Sequence, residues 1–478
     1  MQNISDDEFF LFLWDNLPTR DRLHLLQHER RTVWLFGAGA SRHYGLNLYG
    51  VNMPLARDFF SAMHKLPTAH GLHAHIGPLL AYLHQYRGVH PIDAIEWSED
   101  IEEFMTSVER ELAELGDKKR KGQLTDEDRE KSISLSTVFN NMTFILANVL
   151  NEAQDGSSHS AYSELLTFCS PEDTFITFNW DTLLDKALAM SGAWNPNDGY
   201  GVCFSAVFDG CWRKAVASAP VLPSNWRLLK LHGSTNWLVP YTGVHLESLQ
   251  VESIAGEGDE VFLFWHASLP YETHRGRWRG GYGPTCYGYY PPNLPKEGLS
   301  AKGILLGEGK HHASASYKRI FAPFDEPVMH GVPSSPLIIT PVRQKKYEDY
   351  AGTIEKLWGL AERALSEADR IVLIGYSFPQ TDTQTLSLLQ NALSKRENQI
   401  ELVIVDPSAS MIQERIGDKY IAKAKGVSIY EQKFEDYVSA LRQEVPSLVK
   451  AISAREKTFA EWVQKLEAFQ NWPGYAGN

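Results

Sequence analysis

The chain has 478 residues, 22% of them charged and 12% aromatic, and carries a formal net charge of −13 at pH 7. That length is enough for a full hydrophobic core, as two or three domains or as one large α/β core with insertions. The negative balance argues against generic nucleic-acid binding, which rests on many Lys and Arg contacts to phosphate, and no run nears the roughly 18 apolar residues of a membrane span.

The first ten residues are acidic and lack both a basic start and an apolar signal core, so cytoplasmic residence is expected. After a polar N-terminal helix, residues 32–36 read as a short buried strand running straight into Gly37, Ala38, Gly39, Ala40 and Ser41. Helical spacing follows over 54–65, 101–115 and 135–153, which marks 66–170 as a helical insertion. The mixed-charge cluster 117–131 is expected to be a solvated loop between helices.

The strand pattern returns at 174–178, with a helix over 181–190, and at 228–231 ahead of His232 and Gly233. From 239 to 335 the pattern dissolves into a Gly-, Tyr-, Trp- and Pro-rich insertion, densest at 271–295, where little regular structure is expected. It reads either as an excursion packed on the core or as a lid or partner surface. Further strands at 370–374 and 400–405 flank a helix over 383–394, and 427–430 adds a last strand. Residues 433–478 form a C-terminal helical appendage. Strands alternating with helices predict an α/β fold, a Rossmann-like parallel sheet with helices on both faces. Its core would comprise 1–65, 171–238 and 336–432.

The four cysteines, Cys169, Cys203, Cys211 and Cys286, form no Cys-x-x-Cys pair, so neither a zinc ribbon nor a disulfide framework is supported. Cys203 and Cys211 could join a histidine around a metal, against the plainer reading of dispersed thiols as small buried hydrophobes. No metal is expected.

Chemistry-bearing residues recur where predicted strands end. Gly37, Gly39 and Ser41 suit a backbone approach to pyrophosphate at a helix start, although Arg42 breaks the Gly-x-Gly-x-x-Gly fingerprint and an ordinary tight turn fits as well. Asn179 and Asp181 follow the second strand, where polar side chains reach a ligand; either could instead cap the next helix. His232, beside Gly233, can act as a base near neutral pH or be a structural histidine. Gly375 with Ser377, and Asp406 with Pro407, close later strands and suit phosphate and ribose contacts, or simply form turns. Their common position at strand ends favours one shared site.

In this order, Gly-Ala-Gly-Ala-Ser at 37–41, Thr-Phe-Asn-Trp-Asp at 177–181, Leu-His-Gly at 231–233, Ile-Gly-Tyr-Ser at 374–377 and Val-Asp-Pro at 405–407 resemble the sirtuin family. Ser-Thr-Asn-Trp after His-Gly, and the stretch from Pro336 through Trp358 to Gly375, make the chain most similar to the sirtuin-like domains of bacterial antiphage defence proteins. The matching parts cover roughly half the chain.

The resemblance implies NAD as substrate, with Ala38, Gly39 and Ser41 at the phosphates, Asn179 and Asp181 at the nicotinamide ribose and amide, His232 as catalytic base, Gly375 and Ser377 on the phosphate and adenosine side, and Asp406 near the adenine ribose. The chain lacks the four-cysteine zinc module of the family's deacylases. For their Gly-x-Pro-Asp-Phe-Arg element it offers only Gly45, Pro54, Asp58 and Phe59. The expected activity is hydrolysis of NAD to nicotinamide and ADP-ribose in abortive defence, with room for a homo-oligomer or a defence partner such as an ATPase or nuclease. A deacylase, an ADP-ribosyltransferase, a subunit silent without its partner and a non-catalytic module sensing NAD or ADP-ribose are the competing readings.

Overall fold

The computed structural model describes residues 5–27, 30–66, 72–208, 212–214, 224–245, 250–253, 261–265, 299–301, 305–307, 310–312, 315–317, 334–342, 352–379, 382–396 and 399–470. Its centre is a parallel sheet of β1 (Thr32–Phe36), β2 (Thr174–Thr177), β3 (Arg227–Lys230), β4 (Arg370–Ile374), β5 (Ile400–Val405) and β6 (Ala424–Tyr430). Their order across the sheet is β3-β2-β1-β4-β5-β6. This is the strand order of a doubly wound dinucleotide-binding fold, which reverses direction between β1 and β4.

β1 is buried at all five positions, as a strand covered on both faces must be, and this explains its unbroken apolar run. β6, at the sheet edge, leaves Ile429 and Tyr430 exposed. Helices Leu183–Met190, Thr353–Glu367, Thr383–Ser394, Ala409–Ile416 and Phe434–Gln443 all contribute apolar side chains to the core around the sheet, among them Leu188, Leu357, Leu389, Ile412 and Phe434. The protein is thus an α/β fold with a Rossmann-like parallel sheet flanked by helices.

Two expectations need correction. Residues 117–131 are not a loop: helix Ile101–Arg120 and helix Asp126–Gln154 absorb most of them, leaving only 121–125 as the connection. Lys, Arg and Glu are good helix formers on a solvated face. A capping box starts the second helix, with Thr125 Oγ1 accepting the Asp128 N–H at 3.1 Å and Asp128 accepting the Thr125 N–H at 3.1 Å. Lys118 pairs with Asp128 at 2.8 Å across the turn.

The second correction concerns 239–335, where strands are present. Gly233–His245 runs straight on from the His-Gly motif into a second sheet ordered Ser334–Ile338, Gly233–His245, Phe262–Phe264, Ala206–Phe208 and Trp212–Lys214. Gln250–Ser253 pairs with the long strand; Leu305–Gly307 pairs antiparallel with Lys310–His312, and Leu299–Ala301 with Ala315–Tyr317. Period-two alternation explains the sheet's placement. Leu238, Phe262, Phe264 and Ile338 face the helical insertion, while Trp237, Val239, Leu263, Leu337 and Ile339 face the parallel-sheet core. The aromatic-densest stretch, 271–295, lies outside the described residues.

Helix Asp126–Gln154 is long and apolar enough to cross a membrane by composition. Here Leu135, Val138, Met142, Ile145 and Leu146 are buried against helices Leu72–Arg87 and Ile101–Arg120 and the second sheet. Helix Val445–Arg455 packs on helix Asp6–Asn16 and on Lys457–Gln470, and Val449, Ile452 and Phe459 share one apolar cluster with Phe9, Phe10 and Trp14.

Candidate active site

Parallel strands present all their C-terminal ends on one rim, and ligands of such sheets collect where the strand order reverses. Backbone hydrogen bonds carry the ladder past the strand ends. Gly37 N–H donates to Ile374 O at 3.0 Å, Phe178 N–H to Phe36 O at 3.1 Å, Leu231 N–H to Thr177 O at 3.0 Å and Gly375 N–H to Val405 O at 3.0 Å. The motif segments after β1, β2, β3 and β4 are therefore neighbours on that rim, with the loops after β1 and β4 at the reversal.

Those two loops interlock. Gly39 N–H donates to Gly375 O at 2.9 Å, and Gly375 holds φ at +62°. A Cβ at Gly37 would lie 2.6 Å from Gly375 O. The glycines are thus required by backbone packing between the loops, whatever the rim binds. Ala38 is exposed and Ser41 is buried.

Asn179 reaches across from β2: its Nδ2 donates to Gly37 O at 3.0 Å and to Ser41 Oγ at 3.3 Å, and its backbone N–H is held by Thr177 Oγ1 at 3.0 Å. Ser41 Oγ lies 3.1 Å from the Tyr162 hydroxyl. Asp181 accepts the Leu183 N–H at 3.1 Å, and so takes part in starting the following helix. Burial pushes its carboxyl above the usual range, opposed by the charge of Lys230 and by hydrogen bonds from Leu183 and Ser41. Asn179, Ser41 and Asp181 are thereby brought together.

A fully buried network backs this group. Lys230 Nζ donates to Asp181 O at 2.5 Å and pairs with Asp185 at 3.0 Å; Asp185 accepts the Tyr200 hydroxyl at 2.5 Å. Gln154, at the end of its long helix, accepts from Thr182 N–H at 2.7 Å. The long helix thus ends on the residue next to Asp181.

His232 follows β3 and is 4% exposed. Its ring lies 5.0 Å from that of Phe178 and 6.5 Å from that of Trp358, and Nε2 faces Asp382 Oδ2 at 3.3 Å. Asp382 also accepts the Tyr376 hydroxyl at 2.5 Å and the Thr385 N–H at 3.3 Å.

The β4 and β5 ends carry the remaining candidates. Ser377 is exposed, with its carbonyl accepting from Arg415. Asp406 is half-buried and accepts the Ser408 N–H at 2.7 Å, a turn closed by its own side chain. Burial raises its carboxyl above the usual range. Among the described residues no hydrogen bond joins Asp406 to the Asn179 group. Asp58 accepts the Leu55 N–H at 2.7 Å and pairs with Arg42 beside the glycine loop, while Phe59 packs into the helical insertion.

Sequence reasoning missed Tyr162, Gln154, Asp185, Tyr200 and Asp382. Only Asp382 left a trace, as a helix-capping residue type just before a helical pattern. Among the described residues no group of three His, Cys, Asp or Glu side chains could hold a metal.

Among solved structures the chain is similar to two mutants of a Sir2 homologue in complex with ADP-ribose, at 12% and 11% identity and TM-scores of 0.32 and 0.29, each covering 90% of this chain and 97% of that one. It is also similar to a Sir2 homologue in complex with NAD, at 12% identity and a TM-score of 0.27, covering 91% and 94% of the two chains. No protein-family model and no curated protein matches it.

Proposed function

We propose that the rim binds NAD and hydrolyses its nicotinamide glycosidic bond. The observation that carries this reading is the meeting of Gly37, Ser41, Asn179 and Asp181 at the reversal between β1 and β4, with His232 at the neighbouring strand end. The loop after β1, where Ala38 is exposed, suits the approach of a pyrophosphate. Ser377 and Asp406, on the β4 and β5 side, suit the adenosine half, Asp406 hydrogen-bonding ribose hydroxyls.

When the glycosidic bond breaks, its electron pair leaves with nicotinamide and positive charge builds on the ribose. Asp181 holds the nicotinamide end, and Asn179 orients the ribose or the attacking water. The water forms a bond to the ribose carbon and passes its proton to His232. The products are nicotinamide and ADP-ribose; the resemblance to defence proteins extends the role to NAD depletion in abortive infection.

A second reading, a module that binds NAD or ADP-ribose without turnover, draws on the near-complete burial of Asn179 and His232. Incubation of the purified protein with NAD, resolved by chromatography, tests both. Nicotinamide and ADP-ribose in equal amounts support hydrolysis, and cyclic ADP-ribose or a protein adduct replaces it by cyclisation or transfer. Binding without nicotinamide release, retained when candidate ATPase or nuclease partners are added, leaves the sensing module.

A further inference from the structure

We propose that Asp382 is the positioning residue of His232, holding the imidazole proton on Nε2, a proposal that rests on His232 being the base of NAD cleavage. The two lie far apart in sequence, one after β3 and the other at the start of helix Thr383–Ser394, yet Nε2 faces Oδ2 at 3.3 Å and both residues are buried, 4% and 2% exposed. The carboxylate is itself locked. Oδ2 accepts the Tyr376 hydroxyl at 2.5 Å and Oδ1 accepts the Thr385 N–H at 3.3 Å.

An ionised carboxylate offers only acceptors, so it favours a proton on the nitrogen that faces it. A neutral imidazole with Nε2–H carries its lone pair on the other ring nitrogen, and the proton taken up in the reaction completes an imidazolium. The imidazolium that results lies beside the charge of Asp382. The histidine backbone is fixed as well: Ile339 N–H donates to His232 O at 3.0 Å, and Trp358 Nε1–H donates to Leu231 O at 3.2 Å. A carboxylate that sets the tautomer and angle of a basic histidine is a general device, and losing it lowers the rate without removing substrate contacts.

The test compares wild type with Asp382→Asn, Asp382→Ala and Tyr376→Phe in two measurements: kcat and KM for NAD, and the side-chain nitrogen resonances of His232 in histidine-labelled protein, assigned with His232→Gln. Asparagine keeps a good helix cap, so Asp382→Asn separates loss of charge from loss of fold. The expected result is a fall in kcat of about 10²–10⁴-fold in both Asp382 variants with KM within a few-fold, and a smaller fall in Tyr376→Phe. The Nε2–H signal of wild type gives way to a mixed or reversed tautomer in Asp382→Ala. Wild-type kcat in Asp382→Asn, or an unchanged His232 tautomer in a folded Asp382→Ala, overturns the proposal. If wild type does not cleave NAD while the tautomer still depends on Asp382, the pairing stands and the NAD-cleavage reading fails.

Discussion

Gly375 and Gly39 pass each other backbone to backbone, so that a Cβ built on Gly375 would lie 2.2 Å from Ala40 N and 2.6 Å from Gly39 C. Neither atom belongs to a side chain that could turn away. Gly375→Ala adds the strain of a left-handed conformation, φ +62°, to this overlap, and left-handed geometry alone costs about 1–2 kcal/mol for a residue with a Cβ. The variant is expected to lose about 2 kcal/mol or more in denaturant unfolding and to bind NAD poorly, because the loop after β1 must shift. Wild-type stability would show that the two loops separate freely.

Asn179→Ala is expected to abolish most turnover and also to weaken the fold. The sequence alone places Asn179 at a strand end outside any apolar run, which predicts thermal unfolding close to wild type. The structure instead shows it 8% exposed and bonded to Gly37 O and Ser41 Oγ. Leaving buried partners unsatisfied costs about 1–3 kcal/mol. Calorimetry that detects no loss of stability would mean that water replaces the amide, and that the residue is held for chemistry alone.

What could be read in the chain divides along physical lines. β1, β4 and β5 carry the unbroken apolar runs 33–36, 371–374 and 402–405, because strands covered on both faces are apolar at nearly every position, with Thr32, Arg370 and Glu401 confined to their first two residues. β6 starts at Ala424, three residues before its apolar signal, since an exposed edge strand has no such need. The second sheet hid behind Gly, Pro and aromatic residues that composition assigns to loops, although the alternation of Trp237, Leu238 and Val239 was present. Within the site, residues at strand ends were legible because topology fixes where ligands collect. Contacts between distant segments, Asn179 to Ser41, Lys230 to Asp185 and His232 to Asp382, leave no spacing to read. The charge cluster at 117–131 shows the opposite failure, where polarity was taken for irregularity.

The stability of the protein should fall on acidification through His159. Its imidazole is enclosed by Tyr44, Tyr162 and Phe434, with ring centroids 5.6, 5.0 and 6.2 Å away, and burial pulls its pKa down to about 4. Glu435 Oε1 stands 3.6 Å from Nε2 with no hydrogen bond between them, and a backbone hydrogen bond with Ala40 opposes only part of the burial cost. A depressed pKa means that the folded state favours the neutral ring while the unfolded chain takes up a proton near pH 6.5. Stability is therefore complete above about pH 6.5 and lost as pH falls toward 4, by about 3 kcal/mol at most. Denaturant titrations at stepped pH measure this limb, and His159→Gln should flatten it. An unchanged slope in that variant would assign the limb to other groups.

Asp406 offers the clearest separation of a turn from a ligand contact. Its Oδ1 accepts the Ser408 N–H at 2.7 Å, which alone accounts for an acidic residue after β5. If the carboxylate also accepts hydrogen bonds from ribose hydroxyls, its charge matters beyond the turn. Asp406→Asn keeps an acceptor for Ser408 and removes the charge, whereas Asp406→Ala removes both. Stability is expected to fall by about 1 kcal/mol in Asp406→Ala and to hold in Asp406→Asn. NAD affinity is expected to fall in both, by about 1.5–3 kcal/mol for a lost charge-assisted contact. Calorimetric titration at fixed pH checks each part. Wild-type affinity in a folded Asp406→Ala would leave the residue only its turn, and the ribose of any bound dinucleotide would have to be held elsewhere on the rim.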